Sequence, residues 1–212
     1  MDTLKTGDLL LFTPKKYNTW LDYISSFIKY PKETYEHIGM IIKDPIFIDS
    51  SLKGLYLWTI GYENIIVNKN KHPNKNIHEI QIIPLHEIIN KNIDYKLIIR
   101  RVKCNYMLFN NFKLNEINKI VKEDIYEYIN YTNLDYIKDT KIADYIKDTN
   151  MYKTTCSILI GYIYTKCGIL KQDTNWNTLI PNDFSLNNRY LKFEENCSLD
   201  NKTYEVYNYD LL

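Results

Sequence analysis

Two residues, His37 and Cys156, have the side chains and the settings to do nucleophilic chemistry, and Asp49 stands where it could assist them. A thiol attacks a carbonyl as thiolate, and the start of a helix favours the thiolate because its backbone amides are unpaired and partly positive. The same amides can donate to a developing oxyanion. Cys156 opens the run "CSILIGYIYTKCGIL", with Thr154 or Thr155 as N-cap, and so falls in a first turn. The other cysteines lack that placement: Cys104 follows a strand pattern, Cys167 faces a core, and Cys197 sits in a polar tail. A nucleophilic cysteine needs a base, and the base needs an acceptor to fix its tautomer. In "TYEHIGMIIKDPIFIDSS" (34–51), a strand from His37 to Ile42, a turn at Lys43-Asp44-Pro45 and a return strand Ile46 to Asp49 would form a hairpin. Pairing centred on Lys43 sets His37 opposite Asp49, with Cβ atoms roughly 4.5–5.5 Å apart. A slip of one residue would present Ser50 instead.

The elements that must position these residues follow from the periodicity of the apolar side chains. "GDLLLF" reads as a turn feeding a buried strand, Leu9 to Phe12. Trp20, Tyr23, Ile24, Phe27 and Ile28 recur at helical spacing before Pro31, as a core-facing helix or as a flap facing substrate or lipid. "GLYLWTI" (54–60), "EIQIIPL" (79–85) and "YKLIIRRV" (95–102) read as further strands of an antiparallel meander. Leu114, Ile117, Ile120, Val121, Ile125 and Tyr128 share one helical face. In the cysteine helix, Leu159, Ile160, Ile163 and Cys167 form an apolar stripe, and Gly168 supplies the stop. "YIKDT" occurs at 136–140 and again at 145–149, two copies being too few for a solenoid.

Composition narrows the classes. At 212 residues without a visible linker, the chain reads as one domain, 1–212. Its 27 basic and 26 acidic residues balance, which leaves no electrostatic footprint for nucleic acid. No apolar run approaches the roughly 20 residues of a membrane span. "MDTLKTGDLLLF" lacks the basic and apolar regions of a signal peptide, and the four cysteines show no C-x-x-C spacing. A reducing, cytoplasmic location with free thiols is therefore expected, and the chain is not expected to be secreted. His72, His78 and His86 lack metal-ligand spacing, so neither metal nor cofactor is expected. The abundance of Lys, Asn, Ile and Tyr, with Ala143 as the lone alanine, follows AT-rich codons.

The order of these features, "TGDLLLF", "EHIGMII", an acceptor twelve residues after the histidine, "GLYL", a strand ending in Arg, a helix, and "CSILIGYIYTKCGIL", resembles the circularly permuted NlpC-like branch of the papain-fold hydrolases. That branch includes YiiX/YebB-like bacterial proteins, a poxvirus family and the lecithin retinol acyltransferase group. The resemblance runs from about residue 5 to about residue 186, ending in the Pro-containing segment "LIPNDFSLN". In this branch the histidine precedes the cysteine, as here.

The resemblance implies an α+β papain-like fold, a small antiparallel sheet packed against the helix that carries the cysteine. It implies Cys156 as nucleophile, His37 as general base and acid, and Asp49 as the residue that orients the imidazole, with Glu36 and Ser50 as substitutes. The leading expectation is a cysteine peptidase or amidase. The alternatives are a lipid acyltransferase or phospholipase-type thiol enzyme, with peripheral membrane contact, and a catalytically silent viral structural or interaction protein. A large DNA virus as source would place it in host cytoplasm or a virion.

Overall fold

The computed structural model describes residues 4–15, 35–60, 80–91, 95–121, 156–186 and 190–206. Six strands form one antiparallel sheet: β1 (Leu9–Pro14), β2 (His37–Lys43), β3 (Leu55–Ile60), β4 (Ile80–Pro84), β5 (Tyr95–Lys103) and β6 (Ser198–Glu205), in the order β4-β3-β2-β1-β5-β6. Mixed α+β architecture is thus as expected. The near-continuous apolar runs of β1 and β2 are explained by cover on both faces of the sheet. Leu9, Leu11, Ile38, Met40 and Ile42 meet the helical run 156–167 on one face. On the other, Leu10, Phe12, Ile41 and Leu57 pack with Leu85 and Ile88 of the short helix Leu85–Lys91.

The 156–167 helix is buried almost all round, with Lys166 its exposed residue, as its apolar composition requires. Leu159, Ile160, Ile163 and Cys167 are all inaccessible, and Gly168 takes φ +76°, the left-handed conformation that ends a helix. Residues 111–121 are also helical. Leu114, Ile117 and Val121 are buried there, whereas Ile120, assigned to the same face from sequence, is 40% exposed.

At the start of β1, Gly7 (φ +100°) and Asp8 form a bulge: the Gly7 amide donates to the Ile41 carbonyl and the Ile41 amide to the Asp8 carbonyl. The buried Asp8 carboxylate accepts from the amides of Lys5 (3.0 Å) and Val102 (3.1 Å), which pins β1 to β5.

The expected hairpin from His37 to Asp49 does not form. The residues after Asp44 leave the sheet, because Asp44 adopts φ +48° and closes a loop with Gly54: its amide donates to the Gly54 carbonyl (2.8 Å), and its carboxylate accepts from the Gly54 amide (2.7 Å). The true return strand is β3, paired from Lys43↔Leu55 to Met40↔Trp58. Ile46 and Ile48, read as strand, are exposed, and Phe47 alone of that stretch turns in against Trp58. The Trp20 to Tyr30 helix, the repeated YIKDT, Ile125, Tyr128, His72, His78, Thr154 and Thr155 lie outside the described residues.

Candidate active site

His37 opens β2 and pairs across the ladder with Phe12 of β1, whose ring meets the imidazole edge-on at 5.1 Å between centroids. The β2–β3 ladder ends at Met40↔Trp58, so the backbone of Ile38 is released from strand pairing on that side. Two side chains take it over. The Ile38 amide donates to the sulfur of Cys156. The Ile38 carbonyl accepts from the hydroxyl of Thr59 at 3.0 Å.

Thr59 also meets Nε2 of His37 at 2.8 Å. A hydroxyl has one proton to give, and Thr59 gives it to Ile38. Thr59 therefore accepts from Nε2–H, and in the neutral ring the lone pair sits on Nδ1. Ile38 thus joins the two expected residues: its amide holds the sulfur, and its carbonyl fixes the hydroxyl that holds the imidazole.

Asp49 is not part of this arrangement. It is exposed in the loop after β2, where its carboxylate accepts from the Ser51 amide at 2.8 Å, a bond that lowers its pKa. Ser50 is exposed as well, and Glu36 accepts from Tyr95 Oη at 3.3 Å. The orienting residue is Thr59, a polar side chain in the otherwise apolar or aromatic β3. By extension of the β2–β3 register it stands opposite Gly39, diagonal to His37 and on the same face. That threonine inside "LYLWTI" was the available signal. Using it required knowing that β3, not 46–49, returns beside His37.

The electrostatics also depart from expectation. Amides of Ile38, Ser157 and Cys156 itself do pull the Cys156 pKa down, as a helix start should. Burial outweighs them and pushes the thiol up to about 12. Burial likewise takes His37 down to about 3. At neutral pH the pair is therefore thiol and imidazole, not thiolate and imidazolium. Cys156 and Thr59 have no exposed surface, and His37 is 3% exposed.

The chain that follows the cysteine helix braces the site. Ser157 Oγ donates to the Leu179 carbonyl (2.6 Å), and the Tyr35 amide donates to Asn182 Oδ1 (2.7 Å), so the "LIPNDF" segment ties the helix start to the chain entering β2. Beyond Leu179 opens a cleft of about 430 Å³, lined by Leu179, Ile180 and Tyr190 together with Asp173, Thr174, Asn175, Thr178, Asp183 and Lys192. Among the described residues no group of three or more His, Cys, Asp or Glu could hold a metal ion, and no helix is long and apolar enough to cross a membrane. No family model matches the chain, and no curated protein or solved structure matches it.

Proposed function

We propose that this chain is a cysteine hydrolase of papain-like, permuted NlpC type that cleaves an amide bond as a peptidase or amidase. Cys156 is the nucleophile, His37 the general base and acid, and Thr59 the residue that positions the imidazole. The observation that carries this reading is the double use of Ile38, whose amide is bonded to the sulfur and whose carbonyl accepts from the hydroxyl that meets the imidazole. With Nε2–H fixed by Thr59, Nδ1 is the atom that takes the thiol proton as sulfur attacks the carbonyl carbon. Collapse of the tetrahedral adduct expels the amine, which leaves with that proton. Water then attacks the acyl-enzyme, giving its proton to Nδ1, and the returning thiol recovers it. The amides now directed at the sulfur, those of Ile38, Ser157 and Cys156 itself, are the candidate donors to an oxyanion.

Because both groups are neutral at rest, charge appears only when a substrate is present, and the site must open for a carbonyl to reach Cys156. The cleft beyond Leu179 sets Asp173, Asp183 and Lys192 beside Leu179, Ile180 and Tyr190, a mixed lining that suits the polar backbone and varied side chains of a peptide. The complete burial of Cys156 supports one other reading, an interaction protein that retains the arrangement without turnover. Alkylation of native protein with chloroacetamide at neutral pH, mapped by peptide mass spectrometry, separates the two. The hydrolase requires Cys156 to react faster than Cys104 and to slow at least about tenfold in His37→Ala, equivalent to about 1.4 kcal/mol of barrier. An inert Cys156, unchanged by that substitution, refutes the hydrolase.

A further inference from the structure

The geometry points to a second thiol site, remote from the first: Cys104 and Cys197 form an oxidisable dithiol that closes to a disulfide with a small-molecule disulfide such as oxidised glutathione. The pairing follows from strand register. β5 and β6 pair Val102↔Leu199 and Lys103↔Ser198, and the next step of that ladder sets Cys104 opposite Cys197.

Backbone direction fixes which kind of pair this is. The Val102 amide donates to Asp8 on the β1 side, and its carbonyl accepts from Tyr106 Oη, so Val102↔Leu199 is not a hydrogen-bonded pair. Two residues on, Cys104 and Cys197 take the same phase. Opposed residues in such pairs have Cα atoms about 4.5 Å apart and side chains turned toward each other. That lies inside the roughly 4.4–6.8 Å that a disulfide spans.

Both side chains also face the same way. Cys104, Cys197 and Leu199 all pack, partly buried, against the core that contains Val102. The approach to β6 is held in place: Cys197 closes a turn by donating its amide to the Glu194 carbonyl, and the Glu194 amide donates to Ile169 just past the cysteine helix. Cys197 is thus delivered by a fixed turn and not by a loose tail. Both thiols are reduced in the structure.

The reaction is two exchanges. The Cys197 thiolate attacks one sulfur of oxidised glutathione and expels a glutathione thiolate, which takes up a proton. Cys104, deprotonated in turn, attacks the Cys197 sulfur and expels the second glutathione. The protein loses two electrons and two protons; two glutathione thiols are formed. The bond would close a loop that contains the whole cysteine helix, from the end of β5 to the start of β6.

Equilibration of the full chain in glutathione buffers of increasing oxidation, followed by acid quench and non-reducing peptide mapping, tests the site. The expected result is a Cys104–Cys197 cross-linked peptide in wild type and in Cys156→Ala, with a rise in Tm of about 5–10 °C on oxidation. Cys104→Ser and Cys197→Ser should each stop at a single mixed disulfide with glutathione. Should Cys104→Ser not fold, Cys197→Ser, altered at the strand approach, carries the same test. The proposal is overturned if wild type stops at mixed disulfides, if Cys104 pairs instead with Cys167, or if no cross-link forms in the most oxidising buffer.

Discussion

Thr59 Oγ1 lies 2.8 Å from Nε2 of His37 and gives its own proton to the Ile38 carbonyl, so one hydroxyl sets both the position and the tautomer of the buried imidazole. Thr59→Val keeps the shape and removes the acceptor. Leaving Nε2–H and the Ile38 carbonyl unpartnered should cost about 1–3 kcal/mol of stability. Thr59→Ser should recover most of it. Nitrogen-15 NMR of the His37 ring checks the structural claim directly: wild type and Thr59→Ser should show the Nε2–H tautomer, and Thr59→Val a mixture. The chloroacetamide rate at Cys156 should fall with the tautomer and return in Thr59→Ser, an effect that lost stability alone would not produce.

Asp49→Ala gives the opposing expectation. The carboxylate is exposed and bonded to its own loop, so unfolding free energy should change by no more than about 0.5 kcal/mol. The tautomer of His37 should be unaltered. A Cys156 rate that dropped in Asp49→Ala as it does in His37→Ala would restore the acid to the site and displace Thr59.

How far the sequence could be read is shown by these two residues. His37 and Cys156 were picked out by residue type and setting, and five strands and the cysteine helix with its Gly168 stop were legible, because two-sided burial and helical periodicity leave strong local patterns. The third residue was not. Alternation in "IFID" mimics a strand, and what defeats it is a backbone event at Asp44 that releases residues 44–54 from the ladder and moves the return strand to β3. Register is a long-range property, and a single loop closure changes every cross-strand neighbour downstream. The thiol's raised pKa was illegible for a similar reason: the helix start is local, whereas the burial that overrides it is set by the whole sheet and helix layer.

Acid sensitivity should follow from His37. Its pKa falls from 6.5 to about 3 on folding because burial disfavours the imidazolium. Between those values the unfolded chain binds a proton that the folded chain does not, so this contribution is fully present above pH 6.5 and is lost as pH falls toward 3. The slope is about 1.4 kcal/mol per pH unit within the window, or about 2 kcal/mol between pH 6.5 and 5. Urea unfolding at pH 7 and pH 5, in wild type and His37→Gln, isolates it. Wild type should lose about 2 kcal/mol more than the variant; equal losses would mean that His37 is protonated in the folded state near its ordinary pKa.

Gly161 gives a case where local propensity and packing point in opposite directions. Alanine is better than glycine inside a helix by about 1 kcal/mol, so Gly161→Ala judged on the helix alone should stabilise. A Cβ there would lie 2.6 Å from Leu179 Cδ1 and 3.0 Å from Trp176 Cβ. Leu179 Cδ1 is the end of a side chain and can swing away, but Trp176 meets the new Cβ at its own Cβ and, at 3.3 Å, at its carbonyl oxygen, and its backbone is held by the hydrogen bond from its amide to Thr174. Overpacking of this kind costs about 1–3 kcal/mol. The expected outcome is a lowered Tm, together with faster alkylation at Cys156 as the segment that braces its helix start is pushed outward. If Gly161→Ala instead raises Tm, the 174–184 segment is not held against the helix, and the cleft beyond Leu179 is not a fixed neighbour of Cys156.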